Sequence, residues 1–465
     1  MRSVRSTSFI IFLLLLISTT IVHAQENSPY SRYGLGDIYP SIHVAGRAMG
    51  GLFAAATEYD PHARQDQNGG AIFYTHRYIN FNNPASYANI KLITYDLGVS
   101  IDDRKLKSGN PLATYNSASF IPAYIAIGLP VKKLRNLSMA AGLRPLTRIN
   151  YNILTEKRLA GIDSMHTIYE GSGGLNQFFI GAGKKWGNFS LGINGVYNFG
   201  RRELMTKTEF INDTVQYYKG QHSTTTFING FGLEGGAIYE ATLKEMKDKE
   251  TGYITGYYLL RAGVAGAFKQ NLNAKQDVDR QTYVYDGAGG TYKVDSVYTK
   301  ANIPGKVVLP SKLSIGLTIE KRAVNTKAGS SWSAGIQYDL QQWGSEYKFM
   351  GVTDRVINSN MFRIGGEITP NHWAQNAFSR MTYRLGFYTG KDYINADNNK
   401  LRVTAFTAGI GVPLFNRRSP QFSMINTAVE VGKRGSAVNN ITENYVRFSL
   451  SLSLSDIWFI KRKYD

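Results

Sequence analysis

The sequence predicts an all-β protein: a transmembrane antiparallel β-barrel of about fourteen strands, with an N-terminal hatch or plug inside the lumen. Three observations lead there. From Lys91 onward, apolar and polar residues alternate with period 2 in strand after strand. The spacers between those strands alternate between short and long. The stretch from Gln25 to Ile90 has no sustained alternation and is dominated by small residues.

The chain divides in order into 1–24, a signal peptide; 25–90, a periplasmic N-terminal segment and lumenal hatch; and 91–465, the barrel. Arg2 and Arg5 make a positive start, Phe9 to Ile21 an apolar core too short to span a bilayer comfortably, and Val22-His23-Ala24 a small-residue cleavage site. The absence of cysteine excludes a lipid anchor, disulfides and thiolate metal sites. No later run of about 18 apolar residues offers a membrane helix. A mean hydropathy of -0.25 suits strands that are apolar on one face only. So do 12% aromatic residues, 30 Tyr and 47 Gly: Tyr and Trp serve interfacial girdles, Gly the turns and a crowded interior. The net charge of +19 becomes +17 once Arg2 and Arg5 are removed. Its basic residues cluster in short turns, a pattern for anionic lipid head groups rather than nucleic acid. The expected location is the bacterial outer membrane, with outer-membrane lipid as the surrounding partner.

Strands are expected at about 91–101, 119–130, 137–149, 175–185, 188–200, 223–240, 256–269, 307–320, 331–343, 359–369, 380–391, 401–412, 422–433 and 443–455. Roughly fourteen is an even number, as single-chain bacterial barrels require. The clearest is Val446-Arg447-Phe448-Ser449-Leu450-Ser451-Leu452-Ser453-Leu454-Ser455. Its serine face would make a poor core in water; in a bilayer it is a wet lumen wall and the Leu face meets lipid. Val131 to Asn136, Trp186-Gly187, Asn371 to Ser379 and Pro413 to Gln421 read as periplasmic turns, with 241–255 a longer charged one. The stretches 150–174, 201–222 and 270–306 read as long outer loops. Fourteen strands enclose a lumen too wide for wall side chains to fill, so 25–90 is the candidate filling. Trp458 and Phe459 read as the membrane-interface anchor at the periplasmic girdle, with Lys461 to Lys463 at the head groups, or equally as the aromatic end that outer-membrane insertion machinery grips.

Gly46-Arg47-Ala48-Met49-Gly50, the alanines that follow, and Asn83-Pro84-Ala85 before the first strand resemble the N-terminal hatch of FadL-type outer-membrane transporters. Leu309-Pro310-Ser311-Lys312-Leu313-Ser314-Ile315-Gly316-Leu317, and Phe362 to Glu367 followed by Tyr383 to Phe387, look like the middle of the same barrels. The resemblance implies a fourteen-stranded barrel that takes up hydrophobic molecules and releases them through a lateral gap in the wall. It includes a PorV-type branch that carries cargo proteins for secretion. Asp60 to Gly70 departs from the transporters by lengthening the hatch.

Candidate hatch and ligand-gating residues are Gly46, Arg47, Met49, Gly50, Phe53, Asn83, Pro84 and Ala85. Met49, Leu52, Phe53, Phe73 and Phe81 either form an apolar ligand pocket or pack the hatch on itself. Lumen faces are expected to carry Asp339, Arg363, Glu367, Arg384, Glu430 and Arg447, as structural pairs or as a polar gate. Arg47 is expected to pair hatch with wall. The seven histidines lack ligand spacing, so no metal is expected, nor a cofactor. No Ser/His/Asp set nominates an enzyme. The function expected is passive uptake of hydrophobic, fatty-acid-like molecules; the alternative is a barrel that binds a partner protein in a secretion or surface-assembly complex.

Overall fold

The computed structural model describes residues 28–57, 78–109, 112–131, 136–160, 163–211, 215, 217–286, 290–323, 329–396, 399–415, 422–435 and 439–456. The stretch read as a signal peptide, Asp60 to Gly70, Phe73, Trp458 and Phe459 lie outside them.

Fourteen antiparallel strands form a closed barrel. They are β1 (Ile93–Gly109), β2 (Leu112–Pro130), β3 (Leu137–Pro145 with Thr147–Arg158), β4 (Ser164–Trp186), β5 (Phe189–Ile211), β6 (Lys219–Lys247) and β7 (Ile254–Ala267 with Gln270–Tyr285). They continue as β8 (Thr291–Leu309 with Lys312–Ala323), β9 (Ser331–Gln341), β10 (Ser359–Thr369), β11 (Thr382–Ala396), β12 (Asn399–Phe415), β13 (Phe422–Arg434) and β14 (Ile441–Asp456). Closure comes from β14 pairing with β1, Ile441↔Ser108 through Asp456↔Ile93.

Alternation positions each side chain. In β14 Phe448 and Leu454 face outward while Ser449, Ser451 and Ser453 are buried. That serine face meets wall partners and the N-terminal segment rather than water: Ser449 Oγ lies 2.9 Å from Ser100 Oγ, and Ser453 Oγ donates to Asp96 at 2.8 Å.

The stretches read as long outer loops are mostly strand. β3 and β4 run to Arg158 and from Ser164, β5 and β6 to Ile211 and from Lys219, and β7 and β8 to Tyr285 and from Thr291. Likewise β6 extends to Lys247 through the stretch read as a turn. The physical reason is the solvent. Beyond the lipid both faces of a strand are wet, so the pairing continues while the alternation that marks it in sequence disappears; residues 291–302 are exposed on both faces.

Residues 28–57 and 78–90 run inside this wall. A short helix α1 (Val44–Ala48) and a 3-10 turn (Pro84–Asn89) are their only helical elements among the described residues besides a 3-10 turn at Pro29–Arg32. Their apolar side chains form one core with the wall: Val44, Ile79, Phe81, Tyr87 and Ile90 pack with Ile121, Tyr124 and Phe179.

Candidate functional site

The inner segment is held first by shape. Inward-facing glycines meet it around the barrel: Gly183 and Gly192 lie against the backbone of Pro84, Gly236 against the Asn83 side chain, Gly263 against the backbone of Ala54, and Gly365 and Gly386 against that of Met49 and Gly50. Any Cβ at these six positions would overlap the segment. The glycines align across strands, with Gly183↔Gly192↔Gly236 and Gly365↔Gly386 in register. The segment answers with its own tight turn, since Gly50 and Gly51 have φ of 70° and 82°, where a side chain would be strained.

Polar tethers complete the fit. Asn83 caps the 3-10 turn by accepting from Ala85 N at 3.1 Å, with Pro84 at the first turn position where no N–H is needed. Its Nδ2 donates to Ala54 O at 2.5 Å, which joins the two halves of the segment. Phe53 N and Ala54 N both donate to Gln337 Oε1, at 2.8 and 2.9 Å. Gly50 N donates to Thr407 Oγ1 at 2.9 Å, and Gly50 O accepts from Arg363 at 2.9 Å. Gly46 O accepts from both Met49 N and Gly51 N at 2.9 Å. Phe81 is wholly buried between Tyr124 and Phe179, whereas Phe53 is half-buried at the lining of the cavity described below.

Buried charges sit where segment and wall meet. Arg47 Nε donates to Glu430 Oε1 at 2.6 Å, and its Nη1 donates to Tyr39 Oη and Ser100 Oγ at 3.1 and 3.0 Å. Arg447 reaches Asp102 at 2.7 Å and Glu430 at 3.4 Å. The structure also brings together Arg363 with Asp339 at 2.5 Å and Arg384 with Glu367 at 2.8 Å. Several partners have no motif of their own in the sequence. His43, the N-cap of α1, accepts from Ala45 N through Nδ1, so the ring's proton sits on Nε2, 3.0 Å from Asp96 Oδ1. Asp96 Oδ2 accepts from Ile79 N at 2.9 Å and so grips both halves of the segment. Asp37 accepts from Arg104 and Arg434 at 2.7 Å each. Burial alone would raise its carboxyl, but the Arg434 and Arg104 guanidiniums outweigh burial and hold it below the ordinary aspartate value.

A cavity of about 270 Å³ lies beside the segment. Fourteen of its thirty-five lining residues are Asp, Glu, Lys or Arg, among them Arg47, Arg144, Glu234, Lys312, Arg363 and Asp392. These charges share the lining with apolar Ile38, Ile42, Phe53, Leu146, Met361 and Val403.

The wall itself has a break. The β2–β3 ladder runs only from Ile125↔Leu143 to Pro130↔Ser138. Above it, Leu112–Tyr124 pairs with β1 alone among the described residues. The ladder stops beside Pro122, which has no N–H, and the extra residue Ala123, where the β1–β2 register shifts. Six paired residues rise roughly 15 Å at ~3.3 Å each and a tilt of about 40°, so the break opens past the middle of a ~25 Å apolar band. From the inside it is backed by residues 28–41. Asp37↔Arg148 and Ile38↔Thr147 extend the ladder of β3, Ser28 N donates to Asn150 O at 3.1 Å, and Tyr39 N donates to Leu146 O at 2.9 Å. A signal existed for this break: Pro122 and Pro145 fall inside stretches that read as strands, and proline belongs on edges and bulges.

Fold and site together define a transmembrane β-barrel of the outer-membrane type with a tightly fitted inner segment. The chain belongs to the BamG family, whose model matches residues 6–465. Among solved structures it is similar to a FadL homologue of Pseudomonas aeruginosa, with 12% identity and a TM-score of 0.52 over 91% of this chain and 100% of that one. It is also similar to the P. putida toluene transporter TodX, with 14% identity and a TM-score of 0.50 over 90% and 99%. The FadL-type resemblance therefore holds at the level of fold, while the family is BamG. No curated protein matches the chain.

Proposed function

We propose that this protein is a sealed outer-membrane barrel that works by holding a partner protein, not by conducting solute along its axis. The observation that carries this reading is the fit of the inner segment. It lies against wall glycines on six strands, and buried ion pairs tie it down, so moving it breaks many contacts at once. The charges that line the cavity, fourteen of thirty-five residues, are consistent with the same reading. The outer strand extensions carry exposed Tyr292 and Val297, which suits a protein-facing surface.

A second reading, passive uptake of hydrophobic small molecules, is favoured by the break between β2 and β3, through which an apolar solute would leave into the outer leaflet. Purification of the full-length protein in mild detergent, with mass spectrometry of lipids and proteins and conductance in planar bilayers, separates them. The expected result is a stoichiometric protein partner, no bound hydrophobic ligand and no conductance. A bound ligand without a partner overturns the proposal.

A further inference from the structure

We infer that the outer half of β2, residues 112–124, is a docking edge for one extended strand of a partner protein; the inference rests on the partner-holding reading above. Among the described residues the backbone of this stretch pairs on one side only, with β1. Its lower part lies at lipid depth, where an unsatisfied N–H or C=O costs several kcal/mol. β3 does not close on it: along residues 146–150 the facing edge of β3 is taken by residues 28–41.

The molecule contains its own control. A second edge, residues 291–305 of β8, pairs only with β7 among the described residues and carries Lys293, Asp295 and Lys300, the usual protection against strand addition. The β2 edge, Leu-Ala-Thr-Tyr-Asn-Ser-Ala-Ser-Phe-Ile-Pro-Ala-Tyr, has no charge at all. Leu112, Tyr115 and Phe120 are exposed, at 91%, 44% and 58%. An edge that is long, uncharged and rich in β-forming residues is suited to strand addition, where backbone bonds supply affinity and alternate side chains supply choice. A second copy of this chain does not fit. Two barrels related by an axis along the membrane normal would cross their β2 strands at about twice the tilt, roughly 80°, far from the ~20–25° of neighbouring strands. The occupant is therefore a strand of a different protein, running outward, antiparallel to β2.

The lack of native cysteine makes the test direct. Single cysteines replace Thr114, Asn116 and Ala118, and, as control, Ser296 on β8, in the full-length protein in its own membrane. Each is paired with cysteines scanned along the co-purifying partner. Strand addition predicts disulfides in one antiparallel register, the partner position falling by two as the β2 position rises by two, and none from Ser296→Cys. A second variant, Thr114→Lys with Asn116→Lys, copies the protected edge, and the disulfide from Ala118→Cys should fall at least tenfold while gel mobility of the folded barrel stays unchanged. A co-purifying partner with no registered disulfides overturns the docking edge and leaves the partner-holding reading standing. Cross-links to this chain's own residues 58–77, or photo-cross-links only to lipid, also overturn it. Absence of any co-purifying protein sinks both.

Discussion

Replacing Arg47 by methionine removes the guanidinium that joins the inner segment to the wall. Arg47 and Glu430 are 2% and 3% exposed, so the pair is desolvated and its loss leaves a buried carboxylate short of a partner. Breaking such a pair costs about 3–5 kcal/mol. Glu430 keeps Arg447 at 3.4 Å and Tyr388 Oη at 3.2 Å, which places the cost near the lower end, about 3 kcal/mol. The segment is only one part of the molecule, so the loss falls on its local opening rather than on the barrel. At ~1.4 kcal/mol per factor of ten, opening becomes about 100-fold more frequent. The assay is maleimide labelling of Ala45→Cys, a position with no exposed surface in α1. With opening slower than labelling excluded by varying reagent concentration, Arg47→Met should raise the rate about 100-fold. Adding Glu430→Gln should bring it partly back, because the stranded charge is gone. A rate within about threefold of the parent would refute the idea that this ion pair locks the segment.

Two further perturbations follow from the same geometry. Gly192→Val places atoms where Pro84 lies and should cost about 1–3 kcal/mol of segment docking. Gly195→Val, whose Cβ meets only Ile180 O at 3.8 Å, should leave labelling of Ala45→Cys unchanged. Asp37 has its carboxyl held low by Arg434 and Arg104 against burial, so the stability it contributes is present above the ordinary aspartate pKa of about 3.9 and lost as the pH falls through the lower folded value. Hydrogen exchange of residues 28–41, corrected for the intrinsic rate, should accelerate as the pH falls below about 4. Asp37→Asn should make it fast already at neutral pH and remove the acceleration below about 4.

The wall was legible because lipid imposes a rule that each strand must obey alone. Phe448, Leu450, Leu452 and Leu454 meet hydrocarbon whatever the rest of the chain does, so their spacing marks the strand. The upper halves of β3 to β8 escaped that reading because water on both faces erases the pattern, as at residues 291–302. Arg47 stood out as a lone cation in a run of small residues, but its partner Glu430 lies 383 positions away, and only closure of the barrel brings them together. His43 and Asp96 carry no motif at all; their roles come from capping one helix and accepting one backbone N–H.

Alternation and strand number settle that this chain is a barrel with a lumen needing a filling, since both follow from near-neighbour chemistry along one strand. The break between β2 and β3 is different. Pro122 and Pro145 hint at it, yet either could sit harmlessly on an edge. Only the folded wall shows that the ladder stops beside Pro122, that residues 28–41 cover β3 along residues 146–150, and that the edge of β2 is left uncovered among the described residues. Hydrogen bonds across a sheet join residues far apart in sequence, so which edge is left open is a property of the closed barrel and of no single stretch within it.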